Sequence, residues 1–285
     1  MCKGNVWLTA EMQGAQRRWE SIEWLRELCR STVTPPMQII PVIDLKHGLV
    51  VRGVGGRRQE YRPIQSRVTE SCQPLDVARA FRGQFGFGKL YVADLDAIGG
   101  AAPAWSIYDA LLADRFELMV DAGVRDQLTA IDLARFGLQR VVAGLETLAG
   151  PVVLRDILGA LGTGPVVFSL DLKNGQPLGN REEWDHADAP GIADEAVSCG
   201  VREMIVLDLA AVGSGSGTGT EELCRRLRDR HPQLRLITGG GLRSIDDVQR
   251  QQALGVSAVL IASALHDGQI RAEDLSAIAP QAEGR

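Results

Sequence analysis

The chain has 285 residues, of which 45% are hydrophobic and 24% charged, and its net charge is −5. That length holds a large core, and the composition is ordinary for a globular protein. The negative balance and the lack of a Lys/Arg stripe argue against a nucleic-acid partner, and no apolar run reaches the ~18 residues a membrane span needs.

The five cysteines, Cys2, Cys29, Cys72, Cys199 and Cys224, are scattered and share no metal spacing with histidine. They read as reduced thiols of a cytoplasmic protein. Residues 1–36 lack the apolar core of a signal peptide. Within them Gln16–Arg30 could form an amphipathic helix, with Trp19, Ile22, Leu25 and Cys29 on one face, before Thr34-Pro35-Pro36 interrupts it. Two readings stand: a helix that docks on a partner or a second copy in a homo-oligomer, and a loose N-terminal extension, or one that precedes the true start. The domain boundary is placed at 36/37, with a single domain over 37–285.

From Met37 onward strands and helices alternate. Strands are expected near 38–43, 89–94, 117–121, 139–143, 166–170, 203–207, 234–238 and 257–261. Helices are expected near 74–84, 104–113, 127–136, 151–160, 190–199, 220–230, 244–253 and 271–278. Eight βα units at this length predict a (β/α)₈ TIM barrel, with a doubly wound open sheet as the alternative.

The chain also repeats itself. Val42-Ile43-Asp44-Leu45-Lys46-His47-Gly48 recurs 127 positions later as Ser169-Leu170-Asp171-Leu172-Lys173-Asn174-Gly175. Val92–Gly99 resembles Val206–Gly213, offset by 114; Asp121–Arg125 resembles Gly239–Arg243 and Val141–Gly144 resembles Val259–Ala262, both offset by 118. Four matches in the same order predict a barrel made of two half-barrel repeats.

In both copies of the first motif an apolar run stops at Asp and then Gly. This reads as a buried parallel strand with a carboxylate at its C-terminal end, where such folds keep their chemistry. Asp44 and Asp171 would then face each other across the barrel mouth. A substrate between them could lose a proton to one and gain one from the other, as general acid–base catalysis requires. The bland alternative is that each Asp caps its loop. No carboxylate or histidine grouping suggests a metal.

Thr238-Gly239-Gly240-Gly241-Leu242-Arg243-Ser244 follows the seventh strand, and Ile261-Ala262-Ser263-Ala264 ends the eighth, where a short helix could add its dipole. Loops in those places bind phosphate in barrels of this class. Gly240, Gly241, Ala262 and Ser263 are the candidate phosphate ligands. The matching position in the first half reads Asp121-Ala122-Gly123, with Arg125 and Gly144 near it. There a carboxylate replaces a glycine and repels a phosphate unless Arg125 intervenes; alternatively Asp121 binds a hydroxyl or amine. Gly213–Gly219 reads as a loop over the site or a plain linker. The Arg52–Pro63 loop, with Gly55, Gly56, Arg57, Arg58 and Arg62, is basic enough to meet an anion. His47 and His266 lie in candidate mouth loops with no role assigned.

Ile40–Gly48 with Val50-Val51-Arg52, the Ser169–Gly175 motif and Gly239–Ser244 together resemble the ProFAR isomerase family of histidine biosynthesis and the related imidazole glycerol phosphate synthase cyclase. The resemblance covers Met37 to about Gly268. It implies a TIM barrel without metal or organic cofactor that performs an Amadori rearrangement of a phosphorylated aminosugar. It also implies Asp44 as base at C2 and Asp171 as acid at the ring oxygen. The sequence departs from the family at Asp121-Ala122-Gly123, at Gly213-Ser214-Gly215 and at Ala262. Leu90–Ile98 and Ala262–Gly268 look more like a divergent group found with methanopterin-linked one-carbon metabolism. A paralogue making a pterin or furan cofactor from a one-phosphate substrate, and a non-catalytic barrel that binds a phosphometabolite, are the alternatives.

Overall fold

A computed structural model describes residues 37–179 and 181–278. The segment Gln16–Arg30, read above as an amphipathic helix, lies outside them.

Eight parallel strands form the barrel: β1 (Gln38–Lys46), β2 (Lys89–Asp94), β3 (Glu117–Asp121), β4 (Arg140–Gly144), β5 (Val166–Lys173), β6 (Glu203–Asp208), β7 (Arg235–Gly239) and β8 (Ala258–Ile261). Each pairs with the next, and β8 pairs with β1 through Gln38–Pro41 and Ala258–Ile261, closing the sheet. Closure leaves no free barrel edge. Among the described residues eight helices connect the strands and a ninth follows the last: α1 (Pro74–Phe85), α2 (Leu95–Ile98), α3 (Trp105–Ala113), α4 (Gln127–Arg135), α5 (Pro151–Leu161), α6 (Ala189–Ser198), α7 (Glu221–Arg230), α8 (Ile245–Ala253) and α9 (Ser263–His266). None of the described helices is long and apolar enough to cross a membrane. The final segment read as a helix over 271–278 is a 3₁₀ turn, Ala272–Ala277, and α9 is an additional short helix before it.

The strands alternate with period 2 between two apolar layers. Ile39, Ile43, Leu45, Leu90, Val92, Leu118, Val120, Val166, Phe168 and Leu170 point outward to the helices. Ile40, Tyr91, Ala93, Met119, Val142, Val167, Ile205, Ile237 and Leu260 fill the barrel. Both faces are buried, which is why the strands appear in the sequence as continuous apolar runs. The helix layer holds large, fully buried rings such as Phe81, Tyr108 and Phe168; deleting one such ring costs roughly 3–5 kcal/mol.

β1 and β5 differ in one way from the strands expected. Both run past their aspartates, to Lys46 and Lys173, and fold back as hairpins on Leu49–Val51 and Gln176–Pro177. The turns are twins: His47 and Asn174 have φ 52°, and Gly48 and Gly175 have φ 75°. Positive φ at both central positions is the two-residue turn that matches strand twist, and glycine takes the second place without a Cβ penalty. Asp44 and Asp171 thus sit within the strands, two residues before a tight turn.

Register makes the half-barrel repeat concrete. Asp44, Ala93 and Asp121 lie side by side on β1, β2 and β3. Asp171, Leu207 and Gly239 lie side by side on β5, β6 and β7. Asp121 therefore stands where the second half has Gly239.

Candidate active site

The inward-facing residues at the C-terminal ends of the strands open into one cavity. Asp44, Tyr91, Asp121 and Asp171 line it from below. Arg58, Glu146, Gly213, Gly215, Gly240, Gly241, Arg243, Ala262 and Ser263 line it from the loops. It is the mouth of the barrel, where this architecture gathers catalytic side chains.

The Asp44 carboxylate accepts no hydrogen bond from any described residue, and its Oδ2 lies 2.8 Å from where a Cβ on Gly53 would sit. Burial raises its pKa to about 6, against the opposing pull of the Arg58 charge. Asp171 is 7% exposed and accepts a 2.9 Å hydrogen bond from Ser169 Oγ. Burial again dominates, and the Asp121 charge adds to it, so its pKa rises to about 7. Asp121 is 8% exposed and accepts the Gly123 amide at 3.0 Å. Burial pushes its pKa to about 6, with the Gly123 hydrogen bond opposing.

Among the described residues a single cation, Arg58, lowers the pKa of all three carboxylates. Arg58 lies in the 3₁₀ turn Arg58–Glu60 and pairs with Glu146 through two hydrogen bonds of 2.8 and 2.6 Å. Such a fork fixes geometry as well as charge. The Lys46 ammonium holds the Arg58 carbonyl at 2.6 Å. Burial works against the Arg58 charge, but the bonds to Glu146 outweigh it and hold the guanidinium above its usual pKa. The charge of Arg58 lowers the pKa of Asp44, Asp121 and Asp171 alike.

Across the mouth lies the glycine-rich wall. Gly240 and Gly241 take φ 81° and 68°, and a Cβ on Gly241 would lie 2.1 Å from the Gly217 carbonyl. The 213–219 loop therefore packs directly on this wall. Gly217 N–H donates to Gly241 O, the Arg243 guanidinium donates to Ser214 O, and Gly55 N–H donates to Val212 O. Arg52, beside this wall, pairs with Asp267.

Of the residues singled out in the sequence, Asp44, Asp171, Asp121, Gly240, Gly241, Ala262 and Ser263 share the cavity. Gly144 lies behind Asp121 and Asp171. Gly123 lends its amide to Asp121. Arg125 is not beside a phosphate place: its guanidinium is spent on the carbonyls of Gly123 and Ile98, at 2.8 and 2.6 Å. His47 is exposed and pairs with Asp96. His266 is buried, with Nδ1 2.9 Å from Ser66 Oγ and its ring against Phe81; burial lowers its pKa to about 4. Neither histidine lines the cavity. Tyr91 and Glu146 were not singled out in the sequence. Tyr91 looks like one more apolar strand residue, and Glu146 meets Arg58 only across 88 positions of chain.

The model of the histidine biosynthesis protein family matches residues 38–271. An uncharacterized protein of Methanocaldococcus jannaschii is 34% identical over 244 residues, covering 84% of this chain and 97% of its own. Phosphoribosyl-imidazole-carboxamide isomerases, the ProFAR isomerases, are similar as well. That of Vibrio cholerae is 29% identical over 247 residues, covering 83% of this chain and 96% of its own. That of Desulforudis audaxviator is 28% identical over 242 residues, covering 82% and 88%. With its two-fold barrel and paired aspartates, the chain belongs to the histidine biosynthesis protein family.

Proposed function

We propose that the protein is an acid–base isomerase converting a phosphorylated aminoaldose into the aminoketose. One observation carries this reading. Asp44 and Asp171, at matched positions of the two half-barrels, face one cavity, and burial raises both towards neutrality, to about 6 and about 7. Carboxyl groups that titrate there can give up and take back a proton near neutral pH, as an acid and a base must.

The chemistry follows from these states. Asp171 donates its proton to the ring oxygen, the C1–O bond breaks, and the nitrogen lone pair forms the protonated C1=N bond. Asp44 then removes the proton from C2, leaving an enaminol. Asp44 returns a proton to C1 as Asp171 takes the hydroxyl proton from C2, and the C2 carbonyl forms. Both carboxyl groups end as they began, and no electrons leave the substrate. Gly240, Gly241, Ala262 and Ser263 hold the sugar phosphate, with Arg243 and Arg52 beside them.

ProFAR, with two phosphoribosyl arms, is the most specific form of this reading. A second form, a substrate with one phosphate, is favoured by Asp121, which takes the place of Gly239 in the first half-barrel. The test is turnover of ProFAR and of N-(5-phosphoribosyl)amines, read as the aminoketose formed. Turnover lost in both Asp44→Asn and Asp171→Asn supports the reading. Turnover that survives either substitution, or none with any aminoaldose phosphate, overturns it.

A further inference from the structure

The two ends of the cavity have opposite character. At one end are the glycine wall, Ser263, Arg243 and Arg52, the last paired with Asp267; at the other are Asp121, Glu146 and Asp171, with Arg58 among them. Among the described residues the lining carries three arginines and five carboxylates. A ligand with a second phosphate would bring more negative charge into a surplus of it.

Comparison of the half-barrels shows how the acidic end arose. Asp121 replaces Gly239, and it accepts the Gly123 amide, a donor that an anion bound there would need. Tyr91 replaces Ile205, offset by the same 114 positions as the rest of that strand pair. An interior position that is apolar in one half therefore carries a phenol in the other.

Tyr91 is an independent pointer to a ligand. It is 5% exposed and lines the cavity, and its hydroxyl makes no hydrogen bond with any described residue. Burial and the charges of Asp121, Asp171 and Asp44 keep that hydroxyl protonated. A hydroxyl that opens on a cavity without a protein partner is left to meet a ligand or water. Arg58 already answers part of its charge in the two-bond fork to Glu146. Among the described residues no group of His, Cys, Asp or Glu is spaced to hold a metal ion together.

We propose that the Asp121–Tyr91–Glu146 end of the cavity is a subsite for an ammonium group, so that the substrate has one phosphate and, on the arm beyond its reacting nitrogen, a primary amine. This rests on the phosphate placement given above. The amine donates to the free oxygen of Asp121 and to the Tyr91 hydroxyl, and the Glu146–Arg58 pair borders it.

Isothermal titration with three ligand series of graded chain length tests this: ω-aminoalkyl phosphates, ω-hydroxyalkyl phosphates and alkane bisphosphates, with inorganic phosphate as reference. At the fitting length the aminoalkyl phosphate is expected to bind about tenfold tighter than its hydroxyl counterpart, from a charge-assisted hydrogen bond. The bisphosphate gains nothing over the hydroxyl series. Asp121→Asn and Tyr91→Phe each reduce the amine preference while inorganic phosphate binds as before. Tyr91→Phe keeps the ring and so keeps the test valid if Asp121→Asn fails to fold. Equal affinity for amine and hydroxyl at every length, or a bisphosphate that binds best, overturns the ammonium subsite while leaving the phosphate wall standing. Failure of inorganic phosphate and of all three series to bind removes the phosphate wall, and the subsite falls with it.

Discussion

The carboxylates of Asp121 and Asp171 converge on Gly144: a Cβ there would lie 3.5 Å from Asp121 Oδ2 and 3.4 Å from Asp171 Oδ2. Two acids this close share an electrostatic fate, and the charge of Asp121 helps keep Asp171 protonated. The candidate acid owes part of its proton affinity to a residue that replaces a glycine in the other half of the barrel.

The pH dependence of kcat/KM should therefore be a narrow bell. The rate rises as Asp44 ionises, through about 6, and falls as Asp171 loses its proton, through about 7. Initial rates between pH 4.5 and 9 check this. A rate that keeps rising to pH 9 would remove Asp171 from the role of acid.

Neighbouring charges should move the limbs in opposite directions. Asp121→Asn removes a negative charge beside Asp171 and shifts the alkaline limb to lower pH. Arg58→Met removes the cation that lowers both Asp44 and Asp171, so both limbs shift to higher pH. The pH–rate profiles of the two variants, set beside the parent, are the measurement.

Stability should run against function at Asp171. Its folded pKa, about 7, lies above the ordinary value of 3.8. The stability linked to this group is fully present below the lower value and is lost as pH rises through the upper one. Asp171→Asn takes away the burial cost of the charge, so the variant should unfold at a higher temperature than the parent at pH 8. The gain is largest there and fades towards pH 4. Thermal melts at the two pH values give the answer; an Asn variant less stable at pH 8 would contradict the burial argument.

The glycine wall makes a separate prediction. A Cβ at residue 241 would collide with the Gly217 carbonyl at 2.1 Å, in a backbone conformation with φ 68° that side chains avoid. Gly241→Ala should cost about 1–3 kcal/mol of stability. It should also displace the 213–219 loop and abolish thermal stabilisation by inorganic phosphate. Melts with and without phosphate show both effects; unchanged phosphate stabilisation would exclude this wall as the binding place.

Much of this architecture was legible in the sequence because the chain states it twice. Asp44 and Asp171 stand in matched motifs, and Asp121 stands out as a carboxylate where the repeat has Gly239. The continuation of β1 and β5 into hairpins was hidden, since His47-Gly48 and Asn174-Gly175 read equally well as the stop of a strand or the turn of a hairpin. Tyr91 was hidden for another reason. In a strand buried on both faces, an inward tyrosine and an outward leucine belong to the same apolar run, and only the closed register separates them. The Arg58–Glu146 pair joins two loops that share no motif, so only the fold brings them together. Arg125 shows the converse: a cation close to Asp121 in sequence is committed to backbone carbonyls.

We propose that Asp44 and Asp171 act as base and acid on an aminoaldose phosphate, and formation of the aminoketose tests this, with the parent protein, Asp44→Asn and Asp171→Asn compared on the same N-(5-phosphoribosyl)amine. Turnover is expected from the parent, with a fall of about 10²–10⁴-fold in each variant, the range for loss of one acid–base group, and with phosphate affinity retained. Variants that turn over within a few fold of the parent would contradict it.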